Sequence, residues 1–256
     1  MKLVHGGDTV GYREKYGRDA LDFSANVSPL GTPEAVARAI GAAAYRADRY
    51  PDPLCRELCA ALGEAEGVPK DWILCGNGAA DLIFRLALAK RPRHALVLAP
   101  TFAEYEAALE TVGCDVRRYA LTETNDFAMT EDVLCAIQPP VEIVFLCQPN
   151  NPTGQAAGLA ALTQRDYVRQ VRALIETERP YLLAGLRALG LRVIEGRANY
   201  LLFRADETLG ERLEARGALI RRCGNYPGLD DTWYRTAVRT RRENDALLAA
   251  LREVLA

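Results

Sequence analysis

The stretch Glu142-Ile143-Val144-Phe145-Leu146-Cys147-Gln148-Pro149-Asn150-Asn151-Pro152-Thr153-Gly154 decides how this chain is read. Ile143 to Cys147 is a short apolar run, and it stops at a loop of prolines, asparagines and a glycine. An apolar run bounded by turn residues predicts a buried strand. In open α/β sheets, ligands sit just outside the carboxyl ends of such strands. Gln148 to Gly154 is therefore a candidate site loop, stiffened by Pro149 and Pro152. Asn150 and Asn151 supply amides that both donate and accept.

Upstream of this loop, strands alternate with helices. The pattern predicts strands at Trp72–Cys75, Ala95–Ala99 and Val116–Tyr119. It predicts helices at about Leu54–Glu66, Ala79–Ala89, Phe102–Val112 and Glu131–Ile137. Such alternation argues for a parallel sheet with helices on its faces. Thr32-Pro33-Glu34 predicts a helix start, with Thr32 as the cap and Pro33 in the first turn. Residues 1–31 read as irregular.

Downstream, the character changes. Thr163-Gln164-Arg165-Asp166 is a capping-box-like start for a long helix ending near Gly190. Pro180 is expected to kink or split that helix, since an interior proline costs about 3 kcal/mol. Short strands are predicted at Arg192–Ile194, Tyr200–Phe203, Leu219–Arg221 and Tyr234–Val238. A helix is predicted at Glu207–Arg216, and a last one, capped by Thr240, runs to Leu255. These form a small α+β unit. The expected division is a large α/β domain over 32–155 and a small domain from 1–31 and 156–256.

Composition narrows the function classes. The chain has 256 residues, 49% hydrophobic and 26% charged, which suits a soluble globular enzyme. A formal net charge of -2 gives no bulk argument for nucleic acid or a membrane surface. The start, MKLVHGGDTV, lacks the apolar core of a signal peptide, and no apolar run approaches a membrane span. Seven scattered cysteines fit reduced thiols in a cytoplasm. Cys55 and Cys59 lie one helical turn apart, but no second pair at metal-ligand spacing exists, so no metal is expected.

Several residues are candidates for binding. Gly76-Asn77-Gly78 sits between a predicted strand and a helix, where backbone N–H groups can approach an anion. Alone, this tripeptide is a common turn. Phe102 and Tyr105 follow a strand end and can stack on a flat ring, or simply fill the core. Arg221 and Arg235 lie in short apolar strands. Arginine suits bidentate carboxylate or phosphate recognition, and a surface ion pair is the alternative.

These pieces fall in a telling order. His5-Gly6-Gly7-Asp8, Asp22-Phe23-Ser24-Ala25-Asn26, Tyr50-Pro51-Asp52, Gly76-Asn77-Gly78-Ala79 and Pro100-Thr101-Phe102-Ala103-Glu104-Tyr105 precede Pro149-Asn150-Asn151-Pro152-Thr153-Gly154. Ala198-Asn199-Tyr200-Leu201-Leu202-Phe203, Leu219-Ile220-Arg221-Arg222-Cys223 and Tyr234-Arg235-Thr236-Ala237-Val238-Arg239 follow it. The ordered set resembles the fold-type I, pyridoxal-phosphate-dependent aminotransferases. Within them it is similar to the threonine-phosphate decarboxylases of cobalamin synthesis, with histidinol-phosphate aminotransferases as the alternative.

The resemblance implies the cofactor pyridoxal 5'-phosphate and roles around it. Gly76, Asn77 and Gly78, with the amide of Ala79, would cradle its phosphate. Tyr50 would reach the cofactor phosphate of a neighbouring subunit, so a homodimer is implied. Phe102 or Tyr105 would lie against the ring, and Asn151 would bond its phenolic oxygen. Arg221 and Arg235 would hold the phosphate and carboxylate of a small phosphorylated amino acid. His5, Gly6 and Gly7 would close over that phosphate.

One block is missing. In the family this loop is followed by an aspartate for the pyridinium nitrogen, a Schiff-base lysine and a phosphate-binding arginine. Here the lysines are Lys2, Lys15, Lys70 and Lys90, and none falls in a matching motif. The chain passes from Gln155 straight into Ala156 and an Ala-rich stretch. The resemblance therefore implies an incomplete large domain, weak or absent cofactor binding, little turnover, or a remnant that only binds phosphate ligands. Loss of the block is expected to leave Trp72–Cys75 without its partner strand and Ile143–Cys147 as an exposed edge.

Overall fold

The structure is a computed structural model that describes residues 6–154 and 166–255. His5, the Gln155–Ala156 junction and the cap at Thr163 lie outside the described residues. The fold is α/β. A parallel sheet holds β2 (His94–Ala99) at its centre, flanked by β3 (Asp115–Ala120) and β4 (Ile143–Phe145). Register pairs Ala95 with Val116 on one side and with Ile143 on the other. The His94–Ala99 run is apolar because a central parallel strand is covered on both faces, and Ala95 to Ala99 are all buried.

The helices of this part of the chain are α2 (Glu34–Ala44), α3 (Arg56–Glu66), α4 (Gly78–Lys90), α5 (Glu104–Glu110) and the single turn α6 (Val133–Ala136). The C-terminal part opens with α7 (Asp166–Ala188). It continues with an antiparallel sheet in the order β5 (Arg192–Ile194), β6 (Tyr200–Arg204), β9 (Trp233–Ala237), β8 (Arg221–Arg222). Helices α8 (Leu209–Arg216) and α9 (Arg241–Leu255) cover it. The N-terminal segment joins this part: β1 (Leu21–Asp22) pairs in parallel with β7 (Ala218–Leu219). Phe23 enters the same core as Leu182, Leu201, Phe203, Leu247 and Leu251.

Five expectations need correction. Trp72–Cys75 is not a strand. Lys70–Trp72 is a 3-10 turn, and residues 73–76 join no sheet. A β-prone run becomes a strand only when a neighbour accepts its ladder bonds, and Ile143–Phe145 stays at the sheet edge instead. Residues 6–31 are not wholly irregular, for α1 spans Thr9–Tyr16. Asp8 caps it by accepting from the Gly11 N–H, and Gly17 closes it at φ +66°. Thr32 makes no cap; Pro33 occupies that place without a side-chain bond. Helix α7 runs unbroken through Pro180. Pro180 and Glu176 are both exposed, so water can take the carbonyl that the proline leaves without a donor, while buried Leu182 and Leu186 anchor the second half. Leu219–Arg221 is split, with Ala218–Leu219 and Arg221–Arg222 in different sheets.

A large apolar surface stays open. No residue of α2 is buried. Ile40, Leu54, Leu58, Trp72, Leu74 and Leu146 are all exposed. An uncovered apolar edge favours edge-to-edge pairing. Leu146→Lys is therefore expected to lower light scattering on concentration while changing stability by less than about 0.5 kcal/mol. Unchanged scattering would contradict this account of the edge.

The loop after β4 is held from inside. Asn150 is buried, and its amide donates to the Pro100 carbonyl at 2.9 Å and to Thr153 Oγ1 at 3.1 Å. Its side-chain oxygen accepts from Thr101 Oγ1 at 2.8 Å, and its main-chain carbonyl accepts from Tyr200 Oη at 2.9 Å. A buried group left unpaired costs about 1–3 kcal/mol. Asn150→Ala strands the Pro100 carbonyl and removes the acceptor of the Thr101 hydroxyl, so a loss of about 2–4 kcal/mol is expected from urea unfolding. Exposed Asn125→Ala, used as the control, should stay within about 0.5 kcal/mol.

Candidate active site

The site forms where the carboxyl ends of β2 and β4 meet the antiparallel sheet. Leu98 and Leu121 share a core with Ile194, Leu202, Cys223, Tyr226 and Trp233. Across this core the loop 148–154 faces Arg235 on β9. Asn151 Oδ1 accepts from Arg235 Nη1 at 2.6 Å and from Tyr226 Oη at 3.5 Å. Arg235 Nη2 donates to the Ser24 carbonyl at 3.1 Å. Ser24 in turn holds the N-terminal arm: the Gly7 N–H donates to Ser24 Oγ at 2.7 Å, and that hydroxyl donates to Asp22 Oδ1. A side chain at Gly6 would meet the Ser24 carbonyl at 2.4 Å, so only glycine fits there.

Arg221 and Arg235 are cross-strand partners in the β8–β9 register, and each is only 6% exposed. Arg235 lies over the Tyr200 ring at 5.1 Å and Arg221 over the Tyr226 ring at 5.6 Å. Arg221 also donates to Asn225 Oδ1 at 3.1 Å. Two buried guanidinium groups on neighbouring strands make this region positive. Burial dominates at Cys223 nearby and pushes its thiol up to about 12, against the pull of both arginines. Burial likewise raises Tyr200, so its hydroxyl stays protonated and donates. Arg235 Nε is buried with no partner among the described residues. A cleft of about 340 Å³ opens beside Arg221, lined also by Gly6, Gly7, Lys15, Ser24 and Arg222.

The structure thus brings together Gly6, Gly7, Asn151, Arg221 and Arg235. It keeps the other candidates apart from them. Gly76, Asn77, Gly78 and Ala79 are exposed, and their bonds are local. The Asn77 N–H donates to Asp81 Oδ2 at 2.9 Å, so a carboxylate already meets the N-terminus of α4. Tyr105 stacks on Phe145 at 4.8 Å, and Phe102 meets Tyr105 edge-on at 5.7 Å. Burial first, then Cys147, raise the Tyr105 hydroxyl. Tyr50 is fully exposed. Ser24, Tyr200 and Tyr226 join the site although sequence reasoning gave them no role. Ser24 and Tyr200 lie in motifs of the ordered set and Tyr226 between two of them, but nothing in the residue type announces that its oxygen turns inward.

Pyridoxal phosphate does not fit these residues as a covalent cofactor. Its aldehyde needs an unprotonated lysine amine. Lys15 is ion-paired with Glu214 at 2.9 Å, and that partner raises its pKa, so it stays an ammonium at neutral pH. Lys70 opens the exposed 3-10 turn, and Lys90 ends α4 in solvent. Lys2 lies outside the described residues. Among the described residues no cluster of metal ligands occurs, and no helix is long and apolar enough to cross a membrane.

The chain resembles known proteins along most of its length. The family Aminotransferase class I and II matches residues 18–164 and 155–251, two stretches that meet at 155–164. A threonine-phosphate decarboxylase of Salmonella typhimurium is 32% identical over 331 positions, covering 92% of this chain and 91% of the relative. Those 331 positions exceed the 256 residues here by 75, so at least that many have no counterpart in this chain. A histidinol-phosphate aminotransferase of Symbiobacterium thermophilum is 28% identical, covering 93% and 91%. The fold matches that of histidinol-phosphate aminotransferase from Sinorhizobium meliloti, solved in complex with pyridoxal-5'-phosphate. The TM-score is 0.82 at 16% identity, over 100% of this chain and 95% of that one. By sequence and by fold, the chain belongs to the aminotransferase class I and II family.

Proposed function

We propose that this chain is a threonine-phosphate-decarboxylase-like protein that keeps the substrate-binding face and lacks the covalent catalytic centre. The observation that carries this reading is the buried pair Arg221 and Arg235, adjacent across β8 and β9, with Arg235 Nε unpartnered. Two neighbouring guanidinium groups suit a ligand with two anionic groups. Threonine phosphate has a phosphate and a carboxylate. Histidinol phosphate has no carboxylate, so it would use one anionic contact where threonine phosphate uses two. The name of the Salmonella relative points the same way.

In the lineage so proposed, the reaction turns an amino-acid phosphate into its amine with loss of carbon dioxide. No step of it is assigned to this chain, because among the described residues no lysine or aspartate stands where the chemistry needs one. What remains is recognition. Arg235 and Asn151 form one wall, Gly6 and Gly7 close from the N-terminal arm, and Arg221 opens onto the cleft. Two copies would complete the arrangement, with exposed Tyr50 serving the partner. Seven free thiols suit a reducing compartment such as a cytoplasm.

Calorimetry tests the binding reading. O-phosphothreonine is expected to bind about ten- to a hundredfold more tightly than threonine, as one more charge-assisted contact implies. Arg235→Lys should remove most of that preference. Equal affinities for the two ligands would refute the reading.

Borohydride reduction with excess pyridoxal phosphate tests the loss of catalysis. No stoichiometric adduct on one lysine is expected after digestion and mass spectrometry. A single fully modified lysine peptide would make that lysine a replacement catalyst and overturn the proposal.

A further inference from the structure

Away from the site, three thiols converge where helix α3 meets the segment before α4. Cys59 Sγ lies 3.7 Å from Cys75 Sγ. The Cys55 thiol also interacts with Cys75. Cys59 is buried, and its sulfur contacts the carbonyls of Leu54 and Ile73 at 3.8 and 3.7 Å, which fixes its position. Cys75 is partly exposed. Cys55 adopts φ +48°, a left-handed conformation that costs a non-glycine residue about 1–3 kcal/mol. The thiols of Cys114, Cys147 and Cys223 turn instead to backbone carbonyls.

We propose that Cys59 and Cys75 are an oxidisable dithiol, a modification site at which a hydroperoxide staples α3 to the loop that opens α4. The Cys75 thiolate attacks the outer peroxide oxygen. The O–O bond breaks, an alcohol or water leaves, and Cys75 becomes a sulfenic acid. The Cys59 sulfur then attacks the Cys75 sulfur. An S–S bond forms, the S–O bond breaks, and hydroxide leaves with the Cys59 proton as water. Two thiols lose two electrons and the peroxide gains them.

Geometry drives the closure rather than acidity. Burial first, then the neighbouring thiols, hold the Cys75 proton above its ordinary range. Cys59, held in contact, captures the sulfenic acid before a second oxidation can. The sulfurs must approach from 3.7 Å to a bond length of about 2.05 Å. Residues 73–76 belong to no sheet, so the backbone beside Cys75 has no ladder to break as it moves. The bond would supply the constraint that strand pairing does not, directly before Gly76-Asn77-Gly78.

The test uses the full chain, reduced and then given one equivalent of tert-butyl hydroperoxide. Remaining thiols are alkylated, and the digest is mapped by mass spectrometry. A Cys59–Cys75 linked peptide should dominate, and dithiothreitol should remove it. Closing a loop of this size should raise the melting temperature by roughly 5–10 °C. Cys55→Ser should keep both effects, and Cys59→Ser should lose both. The wild-type crosslink map decides even if a variant fails to fold. A dominant link through Cys55 or Cys114, a link between two chains, seven alkylated thiols after treatment, or an unmoved melting temperature would each overturn the proposal.

Discussion

The side-chain amide of Asn150 is the fixed point of this molecule. It is buried between the ends of two parallel strands and satisfied by Pro100, Thr101 and Thr153. Because Asn150 is locked, Asn151 has one direction left, toward β9. There it meets Arg235, and Arg235 reaches Ser24 and so the N-terminal arm. Segments far apart in sequence are joined by a chain of buried and half-buried polar contacts. In such surroundings a hydrogen bond is strong, and an unmade one is costly. The same chain of contacts ties the parallel sheet to the antiparallel one.

Much of this was legible in the residues. The strands around Ala95 and Ile143 declare themselves because each is an apolar run stopped by turn formers, while Val116-Arg117-Arg118-Tyr119 is marked only by its place in the alternation of strands and helices. The arginines stand out because a charge inside an apolar strand needs a reason. What stayed hidden depends on neighbours. Trp72–Cys75 has the composition of a strand, but pairing is a property of two segments, not one. Helix α1 buries only Tyr12, so its period is faint, and its Asp8 cap was the available signal. Pro180 looked like a break because solvent access to the freed carbonyl cannot be seen in a string of letters. Ser24 and Tyr200 stand in motifs and Tyr226 between them, while their hydrogen bonds depend on a fold that brings residues 24, 151 and 235 together.

Charge and covalent chemistry are separable in this chain. The wall that would hold an anionic ligand is built from the C-terminal strands and the N-terminal arm. The Salmonella relative aligns over at least 75 positions with no counterpart here, and the proposed reading places the family's covalent machinery among them. At the N-terminus of α4, Asp81 accepts the Asn77 N–H that the resemblance reserved for a phosphate. A carboxylate in that place is a competitor for any incoming anion, since both want the same positive helix end. Arg85 lies on the Asp81 carboxylate at 2.9 Å and offsets part of its charge.

Helix α2 buries none of its 11 residues. A helix of that length is marginal in water when nothing packs on it. Helix α9, by contrast, sinks Leu247, Leu248 and Leu251 completely. The two ends of the chain therefore differ in how long their amide protons survive in heavy water. Residues 34–44 open by local fraying and exchange early, while 241–255 exchange only when the C-terminal core itself opens. The molecule thus joins a firm C-terminal core to a loosely held helix α2.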